Sequence, residues 1–130
     1  MRLALVAIAL SYMISIYGFA QTQPASSGLS INPTKVDFGR HAVNSQVQPV
    51  TIILSNRSQA PVAIQEILSS GIDFRSQNNC AEQLAAESQC TILVSFKPVI
   101  VGDRIGILQI TASDSPNSHF IPLGGIGNAQ

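Results

Sequence analysis

The stretch CTILVSFKPVIVGDRIGILQIT, residues 90–111, decides the fold class of this chain. Its first part alternates between apolar and polar residues, with Ile92 and Phe96 on the same face. Its last part repeats this alternation and turns Leu108 and Ile110 inward. A period of two is typical of a half-buried β-strand, and the intervening KPVIVGD contains the proline and glycine that mark a turn. The stretch therefore predicts two strands joined by a turn.

The same alternation recurs along most of the chain. The other runs that predict strands are LSINPTKVDFG, VTIILSN, APVAIQEIL and HFIPLGGIG, separated by turn signals such as NRSQAP and SDSPNS. Pro33 predicts a kinked edge strand because proline cannot donate to a ladder. The change of phase between Ile64 and Ile67 predicts a bulge. Seven or so short strands without a helical period predict an all-β fold, an antiparallel β-sandwich.

The first twenty residues have the pattern of an export signal. Arg2 precedes the apolar run Leu3–Tyr17, and small residues lie just before Gln21. This pattern predicts a signal peptide over residues 1–20, cleaved after Ala20. An uncleaved anchor is the alternative, although the apolar span is marginal for a bilayer core. Both interpretations place the remainder outside the cytoplasm, in the periplasm, at the cell surface or in the medium, and cleavage would leave no stable membrane insertion.

Removal of the signal peptide from the 130-residue chain leaves 110 residues, enough for one domain with a core. Residues 21–28 are rich in proline, serine and glycine and predict a flexible lead. The strand-forming runs place a single sandwich domain at residues 29–127. Residues 128–130 form a short tail.

Charge and aromatic content limit the classes of partner. Loss of Arg2 leaves six basic residues against seven acidic ones, so electrostatics favours neither nucleic acid nor an anionic membrane. The chain contains no Trp, and both of its Tyr residues lie in the predicted signal peptide. Carbohydrate-binding platforms generally rely on those rings. A glycan-binding module of the cell envelope is therefore the second choice, behind a protein-binding module.

Several motifs in order carry a resemblance to a known family. They are VDFG, the strand end at Asn56, NNC with a second cysteine, SFKP, VGDRIGIL and the closing pattern of Leu123, Gly125 and Gly127. From Leu29 to Gly127 the chain resembles the ASH-type (abnormal-spindle and hydin-like) module, related to major sperm protein and met in secreted bacterial proteins described as choice-of-anchor D. The resemblance implies a non-catalytic immunoglobulin-like sandwich. The family usually has Asn-x-Gly where this chain has Asn56-Arg57-Ser58.

The segment NNCAEQLAAESQC holds both cysteines, Cys80 and Cys90. In an exported protein, two cysteines ten positions apart favour a disulfide over a metal pair or a reactive thiol. A zinc site would need two further ligands. The resemblance implies that this pair is structural, since similar family members carry it. The intervening AEQLAAES predicts one helical turn in a crossover between the sheets, with Leu84 as its packing contact; a binding role for the loop is the alternative.

No constellation for catalysis or metal binding is found in the sequence. His41 and His119 are isolated from other ligand types, and the Gly-x-Ser-x-Gly elbow of serine hydrolases is missing. We therefore expect no catalytic residues, no metal and no cofactor, and we expect that the protein is not an enzyme.

An outward apolar patch is the sequence's candidate for an interaction site. Similar modules usually carry Thr on their outer face, whereas this chain has Ile53, Leu93 and Ile107. Ile53 and Leu93 fall on strands that are neighbours in immunoglobulin-type sandwiches, so they should stand side by side. The sequence predicts that this patch binds an unknown protein or a second copy of the chain, with strand addition at an open sheet edge as another mode. The alternative is scattered apolar residues without a role.

Overall fold

A computed structural model describes residues 28–130; the predicted signal peptide and the lead up to residue 27 lie outside the described residues. Nine strands lie within the described range. They are β1 (Leu29–Asn32), β2 (Val36–Ala42), β3 (Val50–Asn56), β4 (Val62–Ser70), β5 (Phe74–Asn78), β6 (Gln83–Leu84), β7 (Gln89–Phe96), β8 (Gly102–Ala112) and β9 (His119–Asn128).

The strands form the two sheets of a sandwich. One sheet has four strands in the order β1-β3-β7-β5, and the other has five in the order β2-β9-β8-β4-β6. The predicted all-β sandwich is confirmed. Two details differ from the expectation: there are nine strands rather than about seven, and β2 pairs with β9 in parallel while the other pairs are antiparallel. The two residues of β6 are too few to show any period in the sequence.

Two local irregularities expected from the sequence are confirmed. The first strand run is interrupted at Pro33, where a cis peptide follows Asn32, and its two parts belong to different sheets. β1 lies at the edge of its sheet, where a following proline disturbs no inner ladder. The pairing of β4 with β8 shifts register between Ile64 and Glu66, which is the predicted bulge.

The core lies between the sheets and is built by the inward positions of their strands. Side chains with 0–2 % exposure come from β3, β5, β7, β8 and β9: Ile52, Leu54, Phe74, Ile92, Val94, Phe96, Leu108, Ile110, Ala112 and Ile121. Full burial of one large apolar side chain contributes about 1.5–3 kcal/mol relative to exposure. This alternation of buried and open positions is the period-two pattern seen in the sequence.

Three phenylalanines fill one end of the core. Phe38 of β2 stacks on Phe96 of β7 with ring centroids 5.2 Å apart, and Phe74 of β5 stacks on the same ring at 5.1 Å. Two glycines of the five-stranded sheet face these rings. A Cβ added to Gly106 would lie 2.6 Å from Phe74, and one added to Gly125 would lie 2.5 Å from Phe96. The rings therefore pack directly on bare backbone.

The neighbouring glycines Gly124 and Gly125 provide a matched test of this packing. We expect Gly125→Ala to lower the free energy of unfolding by about 1–3 kcal/mol, because the new methyl group would collide with the Phe96 ring. Gly124→Ala should change it by less than about 0.5 kcal/mol, since a Cβ there meets only a carbonyl oxygen at 3.8 Å. Urea unfolding followed by circular dichroism measures both values. Equal effects of the two variants would show that the rings do not require Gly125.

Candidate functional site

The outward side of the five-stranded sheet carries a cluster of apolar side chains. Because Leu108 of β8 and Ile121 of β9 point into the core, their neighbours along each strand point outward. We call the outward cluster the outer face and define it by Leu68, Ile105, Ile107, Phe120 and Pro122. Its exposed fractions are 51 % for Leu68, 82 % for Ile105, 43 % for Ile107 and 60 % for Phe120.

Strand pairing makes the outer face continuous. Ile107 lies directly opposite Pro122, and Gln109 lies between Phe120 on one side and Leu68 on the other. Residues opposite each other on neighbouring strands have Cβ atoms about 5 Å apart, so these side chains form one patch across three strands. A contiguous exposed apolar patch on a soluble domain is the usual mark of an interaction surface.

Charged side chains lie at the rim of the outer face. At one end Ile126 of β9 is paired with Arg40 of β2 on one side and with Asp103 of β8 on the other. Glu66 of β4 lies towards the opposite end, paired with Thr111. Between these ends Gly124 lies opposite Ile105 and presents no side chain. The outer face is thus an uncharged strip with a bare backbone position and a polar rim.

A buried ion pair fixes β8 behind the outer face. Asp73, in the turn between β4 and β5, accepts hydrogen bonds from Arg104 Nε at 2.7 Å and Nη2 at 3.0 Å. It also accepts one from the Val99 N–H at 3.2 Å, and its side chain is only 2 % exposed. The Arg104 hydrogen bond, aided by that of Val99, outweighs burial and lowers the pKa of Asp73. This carboxylate joins two turns to the strand that presents Ile105.

The patch expected from the sequence is divided between the two sheets. Ile53 and Leu93 lie on the paired strands β3 and β7, where Ile53 is opposite Thr91 and Leu93 is opposite Thr51. They are diagonal neighbours on one side of the four-stranded sheet, with Ile53 half-buried and Leu93 41 % exposed. Ile107 lies on the five-stranded sheet and is separated from them. The binding role of Ile53 and Leu93 stays a prediction.

Four members of the outer face were missed as site candidates: Leu68, Ile105, Phe120 and Pro122. The sequence contains the information that places Ile105 outward, because the period of two that turns Leu108 inward turns both Ile105 and Ile107 outward. Phe120 and Pro122 alternate with the inward Ile121 in the same way. The side of the sheet on which Leu68 lies is not predicted by the alternation, because the bulge in β4 changes the phase of that strand.

Cys80 and Cys90 form a disulfide, as expected. The predicted helical turn between them is wrong. The segment instead contains β6, whose Leu84 and Gln83 pair with the first residues of β4. Helices this short are marginal without tertiary support, and the donors and acceptors of β4 offer the backbone a better partner. The expected crossover between sheets is wrong as well, because β5 and β7 pair with each other in the four-stranded sheet and the loop only reaches the edge of the other sheet through β6 before it returns. Leu84 is buried as expected.

Asn56 holds the disulfide loop against the end of β3. Its side chain is buried and its Nδ2 donates to the carbonyl oxygens of Ala60 at 2.8 Å and Leu84 at 3.0 Å. Its Oδ1 accepts from the N–H of Ser58 at 3.0 Å, which closes the turn where similar modules have Asn-x-Gly. An open cleft of about 400 Å³ adjoins this turn and is lined by Ser55, Asn56, Arg57, Glu87, Ser88 and Gln89.

The two histidines make local contacts at opposite parts of the sandwich. His41 Nε2 lies 2.8 Å from the carbonyl oxygen of Phe38. His119 Nε2 lies 3.1 Å from both carboxylate oxygens of Asp114, which also accepts from the Leu29 N–H at 3.3 Å. Within residues 28–130 no three side chains of the types that bind metals gather into a group. Over the same range the structure holds no helix long and apolar enough to cross a membrane.

No protein-family model matches the chain, and no curated protein matches it. Solved structures with a similar fold include the secreted serine protease VesC from Vibrio cholerae, at 19 % identity and a TM-score of 0.62, over 78 % of this chain and 23 % of VesC. The ASH/PapD-like domain 7 of human CEP192 is 15 % identical, with a TM-score of 0.58, over 85 % of this chain and 92 % of that domain. WR4, a C. elegans MSP family member, is 11 % identical, with a TM-score of 0.52, over 79 % of this chain and all of WR4.

At these identities the similarity is one of fold. The expected ASH- and MSP-like immunoglobulin-like fold is confirmed. The chain spans about a quarter of the length of VesC.

Removal of the disulfide should destabilise the domain without changing its fold. We expect the double variant Cys80→Ser/Cys90→Ser to lose about 2–3 kcal/mol of stability, because an open loop of about eleven residues gains entropy in the unfolded chain. Thermal unfolding with and without a reductant measures this loss. The reductant should lower the melting temperature of the wild type and leave that of the double variant unchanged. An equal response of both proteins would contradict the expectation.

The Asp73–Arg104 pair should give the stability a defined pH dependence. The pKa of Asp73 is lowered on folding, so its stabilisation is present above its unfolded pKa of about 3.9 and is lost as the pH falls through the folded pKa. At pH 7 we expect Asp73→Asn to cost about 2 kcal/mol. Thermal unfolding at several pH values should show this difference shrinking below about pH 4. Glu82→Gln, at an exposed site away from the outer face, is the control and should show a small effect at every pH.

Proposed function

We propose that this chain is a non-catalytic protein-binding module that works outside the cytoplasm, and that it binds through the outer face. The observation that carries the proposal is the exposure of Ile105 and Phe120 beside Ile107 and Pro122 on one continuous sheet surface. Water must be ordered around these side chains as long as nothing covers them, so their burial against a partner releases free energy.

The chemistry of the outer face favours a protein over a sugar. Its one aromatic ring is Phe120, which has no polar group to orient a hydroxyl-rich ligand. Protein interfaces, in contrast, combine an apolar centre with a polar rim. Arg40, Asp103 and Glu66 supply such a rim around the outer face.

Export is supported by two independent features. The Cys80–Cys90 disulfide is a bond that persists in oxidising compartments. The amino-terminal pattern of Arg2 followed by Leu3–Tyr17 is that of a secretory signal. We therefore propose the periplasm, the cell surface or the medium as the place where the module meets its partner.

Ile107 and Leu93 allow a matched comparison between the outer face and the opposite sheet, because both side chains are aliphatic and similarly exposed. Ile107 is 43 % exposed on the five-stranded sheet, and Leu93 is 41 % exposed on the four-stranded sheet. In the native host, with the carboxyl-terminally tagged chain cross-linked in place, we expect Ile107→Asp to lose the cross-linked species that the wild type forms. Leu93→Asp should retain them, because its aspartate lies on the other side of the sandwich.

Either of two results would count against this proposal. One is loss of the cross-linked species in Leu93→Asp with retention in Ile107→Asp, which would assign binding to the patch of Ile53 and Leu93. The other is retention of the wild type on a polysaccharide column together with loss in Ile107→Asp, which would favour the glycan-binding alternative. Melting temperatures of both variants confirm that they are folded.

A further inference from the structure

We propose that the partner covering the outer face is a second copy of this chain, related to the first by a twofold axis parallel to β9. The inference rests on the proposed function, in which the outer face is the binding surface, and it names the occupant. Three features support it: the arrangement of charges, the apolar column along β9 and the balance of charge between copies.

The charges at one end of the outer face are arranged symmetrically about β9. Arg40 and Asp103 are the ladder partners of Ile126 on its two sides, so each lies one strand spacing, about 5 Å, from β9. Among the described residues Arg104 forms an ion pair with Asp73 and His119 contacts Asp114, and neither Arg40 nor Asp103 has an oppositely charged partner within its own copy. Arg40 and Asp103, which carry opposite charges, therefore lie on the two sides of Ile126.

A twofold rotation about β9 brings these charges together. The rotation exchanges the left and right sides of the sheet and keeps the position along the strand. Arg40 of one copy therefore faces Asp103 of the other, and the same pair forms again on the opposite side of the axis. Such an isologous contact is the commonest way in which identical chains associate.

The strand on the axis presents an apolar column to its copy. Outward positions of β9 are Phe120, Pro122, Gly124 and Ile126, and each would meet its own equivalent near the axis. Sheets that pack face to face keep their strands within about 30° of one another, at about 10 Å separation. The missing side chain at Gly124 lets the two backbones approach at the centre of the face.

Charge balance permits two copies to meet. The whole chain has a formal net charge of zero, and loss of the predicted signal peptide with Arg2 leaves six basic against seven acidic residues, so little long-range repulsion separates identical copies. A protein partner of strong charge would call for a face with a matching excess of the opposite sign. The rim of the outer face instead carries both signs, with Arg40 beside Asp37 on β2 and Asp103 across the sheet. A surface that binds a copy of itself must carry both the positive and the negative member of each ion pair.

The overlap of the two copies limits the strength of the dimer. A twofold axis along β9, the second strand in the order β2-β9-β8-β4-β6, places only β2, β9 and β8 over strands of the other copy, so Leu68 of β4 lies outside the overlap. Three strands at a spacing of about 4.8 Å and about 20 Å long give an overlap of about 14 Å by 20 Å. Because this is below the roughly 600 Å² per partner of small specific interfaces, we expect a weak dimer with a dissociation constant of about tens of micromolar.

Sedimentation equilibrium tests the inference with the full chain, produced in an oxidising compartment and carrying a carboxyl-terminal tag. Across roughly 1–100 μM, a range suited to micromolar dissociation, the wild type should shift from one chain to two. Arg40→Asp and Asp103→Arg should each weaken dimerisation at least about tenfold, since each turns both ion pairs into like-charge contacts. The double variant Arg40→Asp/Asp103→Arg should recover most of the wild-type affinity. Leu93→Asp is the control and should dimerise like the wild type.

A further variant tests the position of the axis. Asp37 and Ile105 are the ladder partners of Gly124 on its two sides, so the proposed rotation places Asp37 of one copy over Ile105 of the other. Asp37→Asn removes a charge that dimerisation would strip of water, and it should tighten the dimer about threefold or more. The amide oxygen can still accept the hydrogen bond that Asp37 Oδ1 takes from the Gly39 N–H.

Three results would overturn the inference. They are a monomeric wild type over the whole concentration series, charge-reversed single variants that dimerise like the wild type, and a double variant no stronger than the single ones. If the wild type is monomeric while Ile107→Asp still loses the native cross-links, the outer face binds a different protein, and only the identity of the occupant is wrong. If the native cross-links also survive Ile107→Asp, the proposed function fails as well.

Discussion

The packing of aromatic rings on bare backbone is the constraint on which the rest of the sandwich depends. Phe74 and Phe96 come from the four-stranded sheet, and they reach the other sheet only where Gly106 and Gly125 present no side chain. A ring that lies flat on a strand gains contact along its whole surface, which holds the two sheets at a fixed separation at this end. Because both glycines must face inward, the phase of β8 and β9 is set, and every other residue of these strands is placed on one side or the other.

The outer face is a direct result of that phase. On β8 the inward Gly106 lies between Ile105 and Ile107, so the strand turns its small residue to the core and its large ones to solvent. The same inversion occurs on β9, where Gly125 is inward and Ile126 is outward. The buried carboxylate of Asp73 then holds this part of β8 through Arg104, so the apolar side chains are displayed on a rigid strand. A rigid surface binds with less loss of conformational entropy than a loop does.

The sequence predicts the sandwich because its signals are local: alternation along VTIILSN and CTILVSF, the proline after Asn32 and the phase change after Ile64. It also predicts the disulfide, since export and the cysteine count suffice. The sequence does not predict the pairing of β6, because a two-residue strand has no period and is stabilised by β4, which is distant in sequence. The site was only partly predicted. The period of two predicts which side chains are exposed. The sheet to which a strand belongs depends on tertiary pairing, so the sequence alone places Ile107 in one patch with Leu93.

The disulfide loop also covers the free edge of β4. β6 occupies the free side of β4 at Val62 and Ala63, and the carbonyl oxygen of Glu82 takes the N–H of Ile64. Without the covalent link the folded domain would keep this pairing, but β6 would detach from β4 more often, and each opening would expose strand groups that can pair with other chains. The sulfur bond thus limits misassembly as well as unfolding. Reduction of the disulfide would therefore promote association through the edge of β4 under conditions where the domain is still folded, whereas oxidation would suppress it.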